Sequence, residues 1–466
     1  MGSRCGVNAE GKLALLILGT CLLAYCYVHQ GPGGGTPTSR LDLLRALVER
    51  GTLEIDAYHD NTPDKAHKGG HFYSDKAPGT ALLCLPSFTV ASVCARALHV
   101  PPGGEREWLF LSWFTTATSI AVIGSLGAVC CFRLLCRMVD RRSAFVTTMG
   151  VFLGSAPFPY ATMLHSHAIT IAILLAMLRV DLITPHSLGA ASHGLLGFLA
   201  GLCICCEYSS GLVVLGVVTT LRKRSLTEWL AVGFGALPPL LLIPLYHASC
   251  FGEPLGLAYY YDSVFLQNQK GLCGVTFLPN LDHLYTLLLS PARGFLFWSP
   301  LFLLSGLGCG ISLSQGNRYY TVLYLVSVVH VLALSSYWDP YAGLSIGARY
   351  LSPIVPLLTL PTALGISRFP RLGLTLATVS VLLTGLGTAV NAQVSGSVGC
   401  PLTEYHLPML AAGQTVCNLG WVLGLHGGIS LCPLLLAVVV ACVLGWRWSS
   451  MARELIGSQD VGSRRA

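Results

Sequence analysis

The chain has 466 residues, 53% of them hydrophobic and only 11% charged, whereas a soluble domain carries about a quarter charged residues. That balance excludes an ordinary soluble domain, and the net charge of +7 needs no nucleic-acid partner, because orientation signals at a membrane account for it. Several apolar runs reach the ~18–20 residues that cross a bilayer as helix, and they lack the alternation of barrel strands, so the fold class is an all-α polytopic membrane protein.

Residues 13–29 form the first apolar run, read as a retained anchor because the later topology requires it. Gly31-Pro32-Gly33-Gly34-Gly35 breaks that helix. The first outer loop, 30–107, is the longest polar region. Leu41, Leu44 and Val48, with Arg45 and Glu49, give a short amphipathic helix expected to lie on the surface. Asp56, Asp60, Asp64 and Lys65 follow, then the polar island His71-Phe72-Tyr73-Ser74-Asp75-Lys76-Ala77-Pro78-Gly79. Residues 80–98 are apolar but contain Pro86 and Arg96, and read as a juxtamembrane helix. Further spans are expected near 108–131, 145–160, 162–180, 190–206, 208–221, 228–247, 294–312, 320–337, 351–367, 372–391 and 429–447, making about 12 with the first.

Basic residues concentrate on the cytoplasmic side of membrane proteins. With both termini cytoplasmic, most of the 28 Lys and Arg residues fall inside. The short outer loops then keep only Lys270, Arg293 and Arg349. Reading 80–98 as a span would move the Arg133–Arg142 cluster outside. The acidic residues gather on the outer face, many of them between Asp42 and Asp75. Two further outer segments are dense in polar and aromatic groups: 248–293, with Tyr259-Tyr260-Tyr261-Asp262, and 338–350, ending in Arg349-Tyr350. The expected organisation is a transmembrane catalytic module over 1–391, then an outer loop, last span and tail over 392–466. Most of the 18 cysteines lie in apolar runs, where they act as small hydrophobes. Cys250 with Cys273, and Cys400 with Cys417, face the side that permits disulfides.

Four motifs occur in order on the outer face: Gly51-Thr52-Leu53-Glu54-Ile55-Asp56; Tyr73-Ser74-Asp75-Lys76-Ala77-Pro78-Gly79; Ser290-Pro291-Ala292-Arg293-Gly294; and Gly343 to Tyr350. Together they resemble prokaryotic multispan proteins of the GT-C glycosyltransferase class, related to the protein O-mannosyltransferases and the lipid A aminoarabinose transferases (glycosyltransferase families 39 and 83). The resemblance covers residues 38–360. It implies a GT-C-like bundle that moves a sugar from a polyprenyl-phosphate donor to a lipid, glycan or protein acceptor on the outer or luminal face, in a bacterial inner membrane or endoplasmic reticulum. In the aminoarabinose branch an acid and a Lys precede two prolines, and that Lys contacts the lipid phosphate; Asp75-Lys76-Ala77-Pro78 stands in that place. Relatives carry an acid early in the first loop, where this chain reads Gly35-Thr36-Pro37-Thr38-Ser39-Arg40.

Sugar transfer from phosphate needs cations for the leaving group and a base for the acceptor hydroxyl. Lys76, Arg293 and Arg349 are the candidate cations. Asp56, Asp64 and Asp75 are the candidate bases, although Asp75 could instead orient Lys76 or join a divalent metal site. Tyr73, His167 (beside His165) and Glu207 are further candidates for substrate contact. No metal-ligand set is assigned. Two rival readings remain. A transporter or flippase of lipid-linked sugars should show internal repeats and mid-bilayer charges; a non-catalytic carrier-binding relative would fit the absent early acid.

Overall fold

The computed structural model describes residues 2–463 except 184–188, 221–223, 272, 277 and 342, with backbone alone for 2–8, 183, 220 and 451–463. Helix dominates, as it must where lipid offers the backbone no hydrogen-bond partner. The principal helices are α1 (Gly2–Tyr27), α2 (Gly35–Arg45), α3 (Pro78–Ala97), α4 (Glu105–Leu135), α5 (Arg141–Gly154), α6 (His167–Ile183), α7 (Gly189–Cys206), α8 (Gly211–Thr220) and α9 (Leu226–Phe251). They continue with α10 (Leu281–Leu288), α11 (Leu303–Ser314), α12 (Tyr319–Ser335), α13 (Val355–Arg368), α14 (Pro370–Val390) and α15 (Cys432–Ser463).

Among the described residues, eight helices are long and apolar enough to cross a membrane. Seven coincide with expected spans, and the eighth is α3. The runs expected at 208–221, 294–312 and 320–337 fall on shorter apolar helices. Those at 145–160 and 162–180 fall on α5 and α6, of 14 and 17 residues, shorter than the roughly 20 residues that a ~30 Å hydrocarbon core requires. Length and composition thus qualify fewer helices than the expected twelve.

α3 has a distinctive place. Trp113 Nε1 donates to Cys26 O at 3.0 Å and His29 Nε2 meets Ser112 Oγ at 3.0 Å, so α1 ends level with the first third of α4. α4 therefore overhangs α1 by about two turns. α3 runs along α4 from Cys84, whose Sγ is 3.2 Å from Ser119 Oγ on the part of α4 beside α1, to Ser92 and Arg96, which share a cavity with Glu107 and Leu111 of the overhang.

The short strands clamp the inter-helix segments together. β1 (Val28–His29) pairs with β4 (Cys417–Asn418), and β2 (Lys65–Lys68) forms a hairpin with β3 (His71–Ser74). Gly69 and Gly70 make the hairpin turn at φ 62° and 87°, values suited to the tight turns that match strand twist.

Two expectations change. α2 begins at Gly35 and its residues 36–45 are all buried, so it does not lie on the surface; the hairpin covers it through Ser39–Ser74 (2.7 Å) and the start of α6 meets it through Arg40 and Ser166. Hydrogen bonds tie the residues after 391 to the preceding helices: Tyr27 Oη donates to Ser430 O at 2.6 Å, and Ile346 N to Ala392 O at 2.9 Å. Cys250, Cys273, Cys400 and Cys417 are free thiols, so neither expected disulfide is formed.

Candidate active site

The ends of α1, α7, α9, α12 and α14 and the starts of α3, α6 and α13 meet at one end of the bundle. Tyr246 Oη near the end of α9 donates to Ser74 O at 2.9 Å, Thr80 Oγ1 in α3 donates to Cys206 O at 3.2 Å, and Gln30 Nε2 donates to Thr388 O at 2.8 Å. The hairpin lies across this junction and delivers Lys76, just before Pro78 opens α3.

Lys76 Nζ lies 2.9 Å from both Asp64 Oδ2 and Asp75 Oδ2. Asp64 also accepts a hydrogen bond from Thr36 Oγ1 at 2.7 Å. A Cβ placed on Gly35 would come 2.7 Å from the Asp64 carboxylate carbon, so Gly35 makes room for that carboxylate at the start of α2. Asp75 is fully buried, and its Oδ1 has no partner. Burial works against the Lys76 charge, but Asp64 and Asp75 overcome it and raise the pKa. Burial also opposes ionisation of Asp64, yet Lys76, the Thr36 hydroxyl and Arg349 hold its carboxyl below the usual range. At Asp75 burial wins, aided by Asp64, and pushes the carboxyl up to about 7. Two carboxyls around one ammonium are thereby driven apart in proton affinity.

Behind Lys76 is a small polar recess lined in part by Arg40, His165, His167, Glu207 and Arg349. Arg349 Nη1 lies 3.4 Å from His165 Nε2, and His167 Nδ1 lies 2.8 Å from Ser352 Oγ. Glu207 accepts from Ser166 Oγ at 2.5 Å and Ser209 Oγ at 3.0 Å. Arg40 is 2% exposed and reaches Ser166 Oγ at 3.3 Å. Among the described residues, Arg40, Arg293 and Arg349 have no carboxylate within 4.0 Å, and each keeps an unpartnered buried N–H. Burying unpaired charge is costly, and of the three only Arg40 and Arg349 line the recess, where an anion would offset that cost.

Thr36, Lys76, Tyr259, Arg349 and Tyr350 are shared with a larger cavity of about 410 Å³. Asp64 and Asp339 reach it, and Phe265, Tyr337, Trp338 and Tyr341 give it an aromatic wall. Asn268 fixes this wall. Its Oδ1 accepts from Tyr337 Oη and Trp338 Nε1, both at 2.8 Å, and its Nδ2 donates to Asp262 Oδ2 at 2.8 Å.

Lys76, Asp64, Asp75, Arg349, His167 and Glu207 therefore converge. Asp56, Tyr73 and Arg293 do not line either cavity. Asp56 accepts from Phe72 N at 2.6 Å and pairs with His71 at 2.7 Å. Tyr73 packs edge-on against Phe251, with ring centroids 5.6 Å apart. Arg293 donates to Val394 O beneath the 338–350 loop. Among the described residues, Glu54, Asp56 and His71 are the one group of three side chains close enough to share a metal ion. Sequence reasoning missed Arg40, Tyr259, Asn268 and Tyr350 as members of the site. It also missed the hairpin, although Gly69-Gly70 between Lys65–Lys68 and His71–Ser74 carries a hairpin signal.

No family model matches the chain, and no curated protein matches its sequence. Among solved structures it is similar to ArnT from Cupriavidus metallidurans bound to undecaprenyl phosphate, with a TM-score of 0.50 and 12% identity over 98% of this chain and 79% of that one. At that identity the likeness is one of architecture, and it assigns the chain a GT-C-like membrane fold.

Proposed function

We propose that the protein is a glycosyltransferase that moves a sugar from a polyprenyl-phosphate donor to an acceptor hydroxyl at the outer or luminal membrane face, with inversion at the anomeric carbon. The observation that carries this reading is the set of buried cations at one cavity: Lys76, Arg40 and Arg349, the two arginines lacking carboxylate partners. Planar guanidiniums and an ammonium are the groups that stabilise a leaving phosphate. The GT-C-like fold, and the undecaprenyl phosphate held by the similar structure, support the same donor class. Lys76 sits at the end of the bundle where α1, α7, α9 and α14 end, which suits a place at headgroup height.

Asp64 is the base. No acid stands between Gly35 and Arg40 in sequence, but the Asp64 carboxylate reaches that segment through space, against Gly35 and Thr36. It also lines the cavity, as Asp75 does not. Donor phosphate on Lys76 competes with Asp64 for the ammonium. As that ion pair weakens, the proton affinity of Asp64 rises, readying it to accept a proton. The acceptor oxygen then attacks the anomeric carbon while its proton passes to Asp64. The bond from that carbon to the phosphate oxygen breaks, its electrons stay on phosphate, and polyprenyl phosphate leaves. Asp75 positions Lys76.

The test is a donor panel of undecaprenyl- and dolichyl-phosphate sugars with the purified protein, followed by NMR assignment of the product's anomeric configuration. Inversion is expected. A retained configuration rejects the single displacement, and carrier binding without turnover across the panel favours the non-catalytic reading.

A further inference from the structure

The segment between α9 and α11 contains a helix whose outward face has no partner among the described residues. Asn280 caps α10, its Oδ1 accepting from Asp282 N at 2.8 Å and His283 N at 3.2 Å. One side of α10 packs on the outer end of α12: Leu287 is buried, and His283 Nδ1 meets Ser335 O at 3.0 Å. The other side is apolar and open. Leu281 is 80% exposed, Tyr285 55% and Leu289 56%, at four-residue spacing, and Leu278 just before them is 76% exposed. That spacing places the three on one helical face.

What covers this face follows from its neighbour. α12 exposes its own apolar stripe, Leu325, Val329 and Leu332, and in a membrane protein such a stripe meets lipid. α10 caps the end of that helix, so the two apolar surfaces adjoin at the membrane's edge. A short amphipathic helix with Leu and Tyr on its open face suits the headgroup–acyl boundary. The preceding residues tie it to the cavity: Val275 bridges Tyr337, Thr276 N donates to Ser336 O at 2.9 Å, and Trp338 N donates to Gly274 O at 3.2 Å. Tyr337 and Trp338 are the aromatic wall.

We infer that α10 is an in-plane membrane anchor: Leu278, Leu281, Tyr285 and Leu289 seat in the outer leaflet, and through Tyr337 and Trp338 this contact sets the height of the cavity wall for a membrane-embedded lipid substrate. The anchoring stands without the transferase reading; only the presentation of substrate rests on it.

The test uses full-length protein in nanodiscs of phosphatidylcholine and phosphatidylglycerol, with benzoylphenylalanine placed at Leu281, at Tyr285 or at Asp60, whose side chain is 92% exposed on the outer loop. Illumination should give lipid adducts at Leu281 and Tyr285 and none at Asp60. Adducts at Leu281 and Tyr285 no more frequent than at Asp60 overturn the anchor. The double variant Leu281→Asp/Tyr285→Asp, checked for retained helix content, should lose about tenfold in turnover of a long-chain donor in nanodiscs, with a short-chain, water-soluble donor turned over as by the wild type. Equal losses on both donors, or no loss on either, overturn the presentation role. If the wild type turns over no donor, the adducts still decide the anchor, and that failure belongs to the transferase reading.

Discussion

Replacing Lys76 by Ala perturbs the site at its centre. The ammonium is 2.9 Å from two carboxylates, and its side chain is 13% exposed. Removing one partner of a buried pair costs about 3–5 kcal/mol, because the remaining charge is left uncompensated. Here Asp75 can take up a proton, since burial already favours its neutral form, so the stability loss should fall at the low end of that range. The catalytic loss is separate. A cation aimed at a leaving group contributes about 10²–10³ in rate, by analogy with a single oxyanion-stabilising donor. The assay pairs single-turnover release of polyprenyl phosphate with thermal unfolding followed by a thiol-reactive dye, for which buried cysteines such as Cys131 and Cys203 report opening. Adding Asp75→Asn to Lys76→Ala should recover most of the stability and none of the rate. Turnover by Lys76→Ala within about threefold of wild type, where a loss of 10²–10³ is expected, would refute the role of Lys76.

Four further outcomes are expected. Gly35→Ala should reduce turnover about as much as Asp64→Asn, on the order of tenfold or more, because its Cβ would displace the Asp64 carboxylate; Michaelis kinetics on both variants check this. Asp56→Asn should leave turnover within about twofold of wild type, as for surface changes away from the chemistry. Asp75 has a raised folded-state pKa, so its contribution is full below the ordinary carboxylate range near pH 4 and is lost as pH rises through about 7; Asp75→Asn should flatten the fall in thermal midpoint across that window. Asn268→Ala frees Tyr337 and Trp338 and removes hydrogen bonds worth about 1 kcal/mol each; KM for donor should rise more than kcat falls, measured with one long-chain donor.

The bundle was legible because apolar length is a local property. Runs such as 372–391 and 228–247 became α14 and α9 with little shift. Lys76, Glu207 and Arg349 were legible for the converse reason, as polar groups in an apolar chain. Asp56 and Asp64 could not be separated by composition. Asp56 is spent on Phe72 and His71, while Asp64 turns to Lys76 and Thr36. Arg40 went unrecognised because its burial depends on Ser166, 126 residues away. α2 was misplaced because polar residues bury there only after the hairpin and α6 have closed around them. Short helices such as α5 stay ambiguous, since 14 residues satisfy neither the length of a span nor the pattern of a surface helix.

The most direct measurement is the release of polyprenyl phosphate from purified protein given undecaprenyl- and dolichyl-phosphate sugars, with wild type and Lys76→Ala compared at equal, folded concentrations. Release by wild type from at least one donor, and loss of that release in Lys76→Ala while the variant remains helical and membrane-inserted, is the expected result. Equal release by both proteins, or none by wild type from any donor, would contradict a transferase built around Lys76.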